Sequence, residues 1–339
     1  MLPPLIFEPL LKRIRWGGRR LGSHLQKPIG EGNDYAESWE LADHGSDQSR
    51  IIGGPFNGTT LRQLMQSHPH ELLGAHAGLT QFPLLIKFLD ANDWLSLQVH
   101  PDDALARRFD LKEYGKTEAW VILDAQPESR ICAGLKSGVD AAALREGLQS
   151  GNIEDLLHMI QVKPGDCVFV PAGTVHAIGP GILLAEVQQQ SNITFRLHDW
   201  GRIDANGQPR EIHVEQSIEC TDFARGPVFP VTPLTLCDQD HIFEELVRCE
   251  YFVIRRHTAL ERFKISTSDQ FRILMCLHGR AAVRTPGGTQ TLRGGITMLI
   301  PAASGVVEII PQERLQVLEI LCPQADLRRK PDDSVGSVR

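Results

Sequence analysis

The chain has 339 residues, 42% hydrophobic and 23% charged, with a formal net charge of -7. That balance fits a soluble globular protein of two domains, or one large β domain with an appendage. It excludes extended disorder and any electrostatic drive toward nucleic acid or anionic membrane. Seven cysteines without a CxxC pair, no apolar run of membrane-span length and no signal-peptide layout in MLPPLIFEPLLKRIRW point to a reducing compartment, the cytoplasm.

In chain order, the apolar runs are short and bounded by Gly, Pro, Asn and Asp, a pattern that predicts strands of a sandwich or barrel. They are FPLLIKFLDAND (82–93), WLSLQVHP (94–101), EAWVILDA (118–125), DCVFVPAG (166–173) and ILLAEVQQQS (182–191). Pro101-Asp102-Asp103 suits the first turn of a helix. Over 140–160, Leu144, Leu148, Leu156, Leu157 and Ile160 fall at roughly helical spacing with a break at Gly151-Asn152, which predicts a helical pair in an insert of about 136–161. Gly17-Gly18, Gly53-Gly54 and Gly287-Gly288 read as turns, since none has phosphate-loop spacing.

A weak internal repeat is also present. GDCVFVP (165–171) and GITMLIP (295–301) share a turn glycine, a buried strand and a terminating proline. His176 lies five residues past the first proline and Val306 five past the second. A second copy over roughly 228–322 is therefore predicted to lack a metal residue. The proline-rich Arg225–Pro233 is the candidate linker. The expected organisation is a catalytic domain over 1–225, a metal-free second domain over 226–323 and a mobile tail over 324–339.

Gln98 and His100 are two apart on a predicted strand and leave the same face, which Ser96 shares. Polar residues facing a barrel interior require partners. Glu118 opens the next strong strand, and His176 follows a Pro-x-Gly turn. Imidazoles, a carboxylate and an amide oxygen suit zinc with an open position for water or substrate. Either histidine alone reads as an ordinary structural residue; the joint pattern favours a metal. His241 and His257 read as ordinary surface or satisfied histidines.

These residues resemble the cupin superfamily and, within it, the type I phosphomannose isomerases in their short bacterial form. The resemblance rests on Trp16-Gly17-Gly18, Glu37-Ser38-Trp39, Pro83–Lys87, LSLQVHPDD (95–103), GKTEAW (115–120), VPAGTVHAI (170–178) and Glu186–Gln189 through Arg196. It implies a mainly β chain of two jelly-roll barrels with a small helical insert, the C-terminal barrel degenerate. It implies one zinc ion per chain held by Gln98, His100, Glu118 and His176. Lys116, Glu186 and Arg196 would be catalytic, and Trp16, Glu37, Lys87, Ser96 and Arg202 would bind substrate. Asn192 departs from the aspartate often found in the family before the arginine strand.

The implied reaction interconverts mannose 6-phosphate and fructose 6-phosphate through an enediol-type proton transfer. The base stays open among Lys116, Glu186 and a zinc-bound water; the phosphate clamp stays open among Ser96, Lys87, Arg196 and Arg202. The expected partner is a small sugar phosphate, with neither nucleic acid nor membrane, in a monomer or weak homodimer. Two alternatives are an iron-dependent cupin dioxygenase, which Gln98 in place of a histidine disfavours, and a non-catalytic sugar-phosphate-binding cupin, which the presence of Lys116 and Arg196 disfavours.

Overall fold

A computed structural model describes residues 1–109, 111–203, 207–238 and 240–323, without the side chains of Cys237 and Asp238. The expected tail over 324–339 lies outside the described residues. The fold is mainly β, as expected, and its strands pair antiparallel throughout. In the N-terminal unit a six-stranded sheet runs in the order Cys167–Val170, Glu118–Ala125, Ile182–Gln189, Leu84–Ala91, Tyr35–Leu41 and Leu10–Gly18. Opposite it stands a five-stranded sheet of Leu157–Gln161, Arg130–Leu135, His176–Ile178, Leu97–Val99 and Phe195–His198. Side chains from both sheets, including Leu89, Trp120, Ile122, Ile131, Ala133 and Ile178, form one core between them.

The C-terminal unit repeats this arrangement. Thr297–Ile300, Arg272–His278, Leu315–Leu321, Val253–Ala259, His241–Arg248 and Leu234–Asp238 follow the order of the first six-stranded sheet. Phe263–Ser266, Val306–Pro311, Arg280–Thr285 and Gly288–Arg293 form the facing sheet. The weak sequence repeat is thus a structural one. Gly165 and Gly295 both adopt positive φ, at 93° and 80°, before equivalent strands. The units are not strictly sequential, because Leu5–Ile6 pairs with Thr297–Ile300 and extends the C-terminal sheet.

The two large sheets share a second core. Ile86, Phe88, Val121, Ala185 and Val187 from one join Ile254, Ile273, Met275, Leu318 and Ile320 from the other, with Phe271 just before the strand Arg272–His278. Leu84–Ala91 and Ile182–Gln189 are consequently buried at every position. This accounts for their near-continuous apolar runs, since a strand covered on both faces has no solvent side to mark by alternation.

The insert differs from expectation. Ala141–Ser150 is a helix, capped by the Asp140 carboxylate accepting from Ala143 N at 2.8 Å and ended by Gly151 in the left-handed conformation. The second half is a 3-10 turn at Ile153–Leu156 followed by the strand Leu157–Gln161, which pairs with Arg130–Leu135. The apolar residues at 156, 157 and 160 were too few to separate helix from strand, and sheet pairing decided between them. The segment 225–233 is hydrogen-bonded to the N-terminal unit, through Val228 N to Ala133 O and Val231 N to Cys167 O at 2.9 and 2.8 Å. Cys132, Cys167, Cys220, Cys276 and Cys322 are free thiols.

Phe271 is fully buried in the shared core, with its ring centroid 5.0 Å from that of Phe82. Phe271→Ala should cost roughly 3–5 kcal/mol, the range for truncating a buried aromatic ring. Chemical denaturation would check this, and a loss below about 1 kcal/mol would contradict the shared-core assignment.

Candidate active site

Antiparallel register brings the expected ligand residues together. Gln98 lies opposite His176 across Leu97–Val99 and His176–Ile178, and Glu118 opens a strand of the facing sheet. Before His176, Gly173 holds a φ of +85° while its N–H donates to His100 O at 2.9 Å, which ties the turn to the neighbouring ligand segment. Ligand atoms of His100, Glu118 and His176 all lie within 4.8 Å of one another, and the three residues are buried to 1%. The His176 Nε2 is 3.3 Å from Glu118 Oε1, and His100 Nε2 is 3.6 Å from Glu118 Oε2.

These residues fit a divalent cation on the chemistry of their donors. His176 Nδ1 donates to Thr174 O at 2.8 Å, which fixes the tautomer and leaves the Nε2 lone pair facing the centre. Among the described residues neither Glu118 oxygen has a hydrogen bond of good geometry, although both are buried. Burial pushes the Glu118 carboxyl up to about 7, with Lys116 opposing and Glu186 reinforcing the shift. Burial also lowers His176 to about 4 and His100 well below the usual imidazole value. Neutral imidazoles beside a carboxylate form a donor set that a cation would complete. Gln98 Nε2 lies 3.2 Å from His176 Nε2. Turning that amide over, an ambiguity inherent in amide assignment, presents Oε1 to the same centre and its NH2 to Ser96.

Around the donors lies a cavity of about 280 Å³, with Glu118 and Gln98 in its wall alongside Trp16, Glu37, Lys87, Ser96, Lys116, Glu186 and Arg196. The expected residues at 16, 37, 87, 96, 98, 116, 118, 186 and 196 therefore share one space, and His100 and His176 back it. A larger recess of about 680 Å³, near Gln126, Glu128 and Lys163, contains no buried ionisable side chain.

Lys116 Nζ is 2.7 Å from Glu118 Oε2 and 3.0 Å from His100 Nε2. Glu186 Oε1 accepts from Trp120 Nε1 at 3.1 Å, and the Trp120 ring packs edge-on against His176. Lys87 Nζ stands between Glu37 and Glu186, at 3.3 and 3.4 Å, over the Trp39 ring. Burial lowers the Lys87 pKa, but Glu37, Glu186 and Glu118 outweigh it and the net shift is upward. Burial raises Glu186, but Lys87 and Lys116 prevail and hold it below the usual carboxylate range. Trp16 is buried to 4% and serves both core and cavity wall.

Arg202 stands apart from this cavity wall. Its guanidinium is engaged by Asp199, the Trp94 carbonyl and, at 3.6 Å, Asp93. Arg210 lines the cavity instead, with Nε donating to Asp199 Oδ2 at 2.8 Å. Nothing in the spacing of the sequence singled out Arg210. Arg196 Nη1 donates to Glu211 O at 2.8 Å, while its buried Nε has no hydrogen-bond partner among the described residues. Burial, and next the neighbouring Arg210, lower the Arg196 pKa.

Residues 6–129 match the family described as phosphomannose isomerase type I, catalytic domain, and residues 243–317 match the mannose-6-phosphate isomerase cupin domain. The mannose-6-phosphate isomerase ManA of Bacillus subtilis is 35% identical over 304 residues, covering 89% of this chain and 94% of the relative. The chain belongs to the type I phosphomannose isomerase family. A mannose-6-phosphate isomerase of Streptococcus mutans is 34% identical over 89% of this chain and 93% of its own. The crystal structure of the mannose 6-phosphate isomerase from Bacillus subtilis superposes with a TM-score of 0.86 at 29% identity, covering 94% and 99% of the two chains. The expectations of an isomerase and of a cupin architecture hold with this membership.

Register shows what became of the site in the second copy. Val306 faces Ser266 as His176 faces Gln98, and Arg272 faces Ile300 as Glu118 faces Val170. The positions of Gln98, Glu118 and His176 are thus held by Ser266, Arg272 and Val306, a set without metal donors of comparable strength. His176→Ala should lose bound metal and at least about tenfold in affinity, whereas Val306→Ala should keep wild-type content. Metal analysis after gel filtration would check this. Affinity in chelator competition should also fall as pH drops below about 7, where a proton on Glu118 competes with the ion.

Proposed function

We propose that the chain interconverts mannose 6-phosphate and fructose 6-phosphate, using one zinc ion held by Gln98, His100, Glu118 and His176, in the cytoplasm. The observation that carries this reading is the convergence of buried metal donors, Lys116, Glu186 and a guanidinium pair on one cavity. A bound divalent ion would supply Lewis acidity toward the two substrate oxygens.

The remaining work falls to this chain's side chains. The C2 proton must leave, the C1–C2 enediol must form, and a proton must return at C1 while the O2 proton passes to O1. Lys116 and Glu186 are the proton-handling groups that border the donors, and a positioned acid–base group contributes about 10²–10⁴-fold. Arg196, with an unpartnered Nε, can stabilise developing negative charge or grip an anion. Arg210 adds a second guanidinium at the cavity, and Asp199 orients it from behind. The pair suits a phosphate, whose oxygens match forked N–H donors. Lys87 has Glu37 and Glu186 as partners already and is better placed to set their charge than to bind phosphate.

Purified protein should form fructose 6-phosphate from mannose 6-phosphate, lose activity to a chelator and regain it with zinc. Arg210→Ala should raise KM for the sugar phosphate roughly ten- to hundredfold with a smaller effect on kcat, the range for one lost charge-assisted hydrogen bond. A coupled assay of fructose 6-phosphate would check both. Absence of turnover in zinc-loaded protein would reject the reading, and an unchanged KM would reject the guanidinium clamp.

A further inference from the structure

We propose that Tyr251, a residue of the C-terminal unit, is a positioning residue for the active site, acting through Asp103 and Gln189 on the turn that carries Lys116. The proposal builds on the isomerase reading above. Each backbone amide of the turn has its own acceptor. Gly115 N donates to Asp103 Oδ1 at 2.8 Å, Lys116 N to Pro101 O at 2.9 Å and Thr117 N to Gln189 Oε1 at 2.9 Å. Gln189 closes the frame, since its Nε2 donates to the same Asp103 Oδ1 at 3.1 Å and its N–H to Thr117 O at 3.1 Å.

The turn also lies hard against the first turn of the helix Asp103–Arg108. A Cβ on Gly115 would meet the Asp102 carbonyl carbon and Asp103 N at 2.5 Å, so only glycine permits this approach. Asp103 is therefore the joint between helix, turn and the strand Ile182–Gln189. It is buried, and a buried carboxylate keeps one orientation only while donors surround it.

One of those donors comes from the other unit. The Tyr251 hydroxyl donates to Asp103 Oδ2 at 3.2 Å. Tyr251 precedes the strand Val253–Ala259, and its ring packs on the core shared by the two large sheets. A rotation of the Asp103 carboxylate would release Gly115 and Gln189 together. Lys116 Nζ would then leave its 2.7 and 3.0 Å contacts with Glu118 and His100. In this way the C-terminal copy acts on the reaction, although none of its described residues lines the cavity.

The test uses full-length Tyr251→Phe, Asp103→Asn and the double variant, with wild type in the same assay. Wild-type turnover of mannose 6-phosphate establishes the isomerase reading separately, whatever the variants do. Tyr251→Phe should lower kcat on the order of three- to tenfold, with KM and metal content near wild type. Amide hydrogen exchange over 113–119 should quicken in the metal-free and zinc-loaded protein alike, with the distant strand Arg272–His278 unchanged. The double variant should be no slower than Asp103→Asn alone, because both changes act on one path. A Tyr251→Phe enzyme with kcat within 1.5-fold of wild type would overturn the proposal. So would multiplicative losses in the double variant, or exchange over 113–119 that stays at the wild-type rate.

Discussion

The rest of the site depends on one constraint, a glutamate carboxylate buried to 1% between two buried imidazoles. Ionising Glu118 there costs solvation, which is why its carboxyl is pushed up to about 7 even with Lys116 at 2.7 Å. The imidazoles cannot offset the charge, because burial lowers their own pKa values. Lys116 gives one positive charge, shared among Glu118, His100 and the field of Glu186. A divalent ion among the donors would relieve the deficit and free Lys116 from serving as the counter-charge. Electrostatics and the proposed chemistry are thereby coupled: Lys116, proposed above to handle protons, is also the counter-charge of Glu118 at 2.7 Å.

The second copy sets a different group of charges at the same register positions. Arg272 takes the register position of Glu118, Glu319 that of Glu186 and Arg255 that of Lys87. Glu319 accepts from Arg272 Nε at 3.1 Å, pairs with Arg255 at 3.6 Å and meets His257 Nε2 at 3.2 Å. Burial raises the Glu319 pKa, but His257 and the two arginines outweigh it and hold it below the usual range. A covalently attached guanidinium thus stands where the first copy collects donors, and the interior is neutralised by the chain alone. His257 and His241 join this cluster at 2.9 Å, under a stacked Phe263 ring, and behave as satisfied histidines.

Much of the site was legible because strand geometry is regular. The two-residue period put Gln98 and His100 on one face, and a turn glycine at fixed spacing placed His176. What stayed hidden depends on tertiary contact. Arg202 and Arg210 both follow the strand Phe195–His198 in sequence, yet the Trp94 carbonyl captures the first and the cavity receives the second. Residues 157–161 are too short a run for their period to be read, and pairing with Arg130–Leu135 made them a strand. The helix Leu61–Ser67 does carry a local signal, since Thr60 and Gln63 form a reciprocal capping box. The crossing of Leu5–Ile6 into the C-terminal sheet has no local signature, since its partner lies almost three hundred residues away.

The distribution of burial explains how one cavity can be both exact and accessible. Glu118, Glu186 and Lys87 sit on three adjacent strands of a sheet packed on both faces, where a shift of one strand would disturb two cores at once. Groups that must hold a reacting centre to within a fraction of an ångström gain from that stiffness, because rigid elements place side chains more finely than loops do. The guanidinium end is built differently. Arg196 lies on the edge strand Phe195–His198, and Arg210 sits beyond the last sheet strand of that unit. Under the clamp proposed above, a phosphate held by these two arginines would tolerate small displacements, since long-range charge and several equivalent oxygens share the contact. On the proposed reading, chemistry on the doubly covered sheet and recognition at the edge of the facing sheet follow from what each task demands of position.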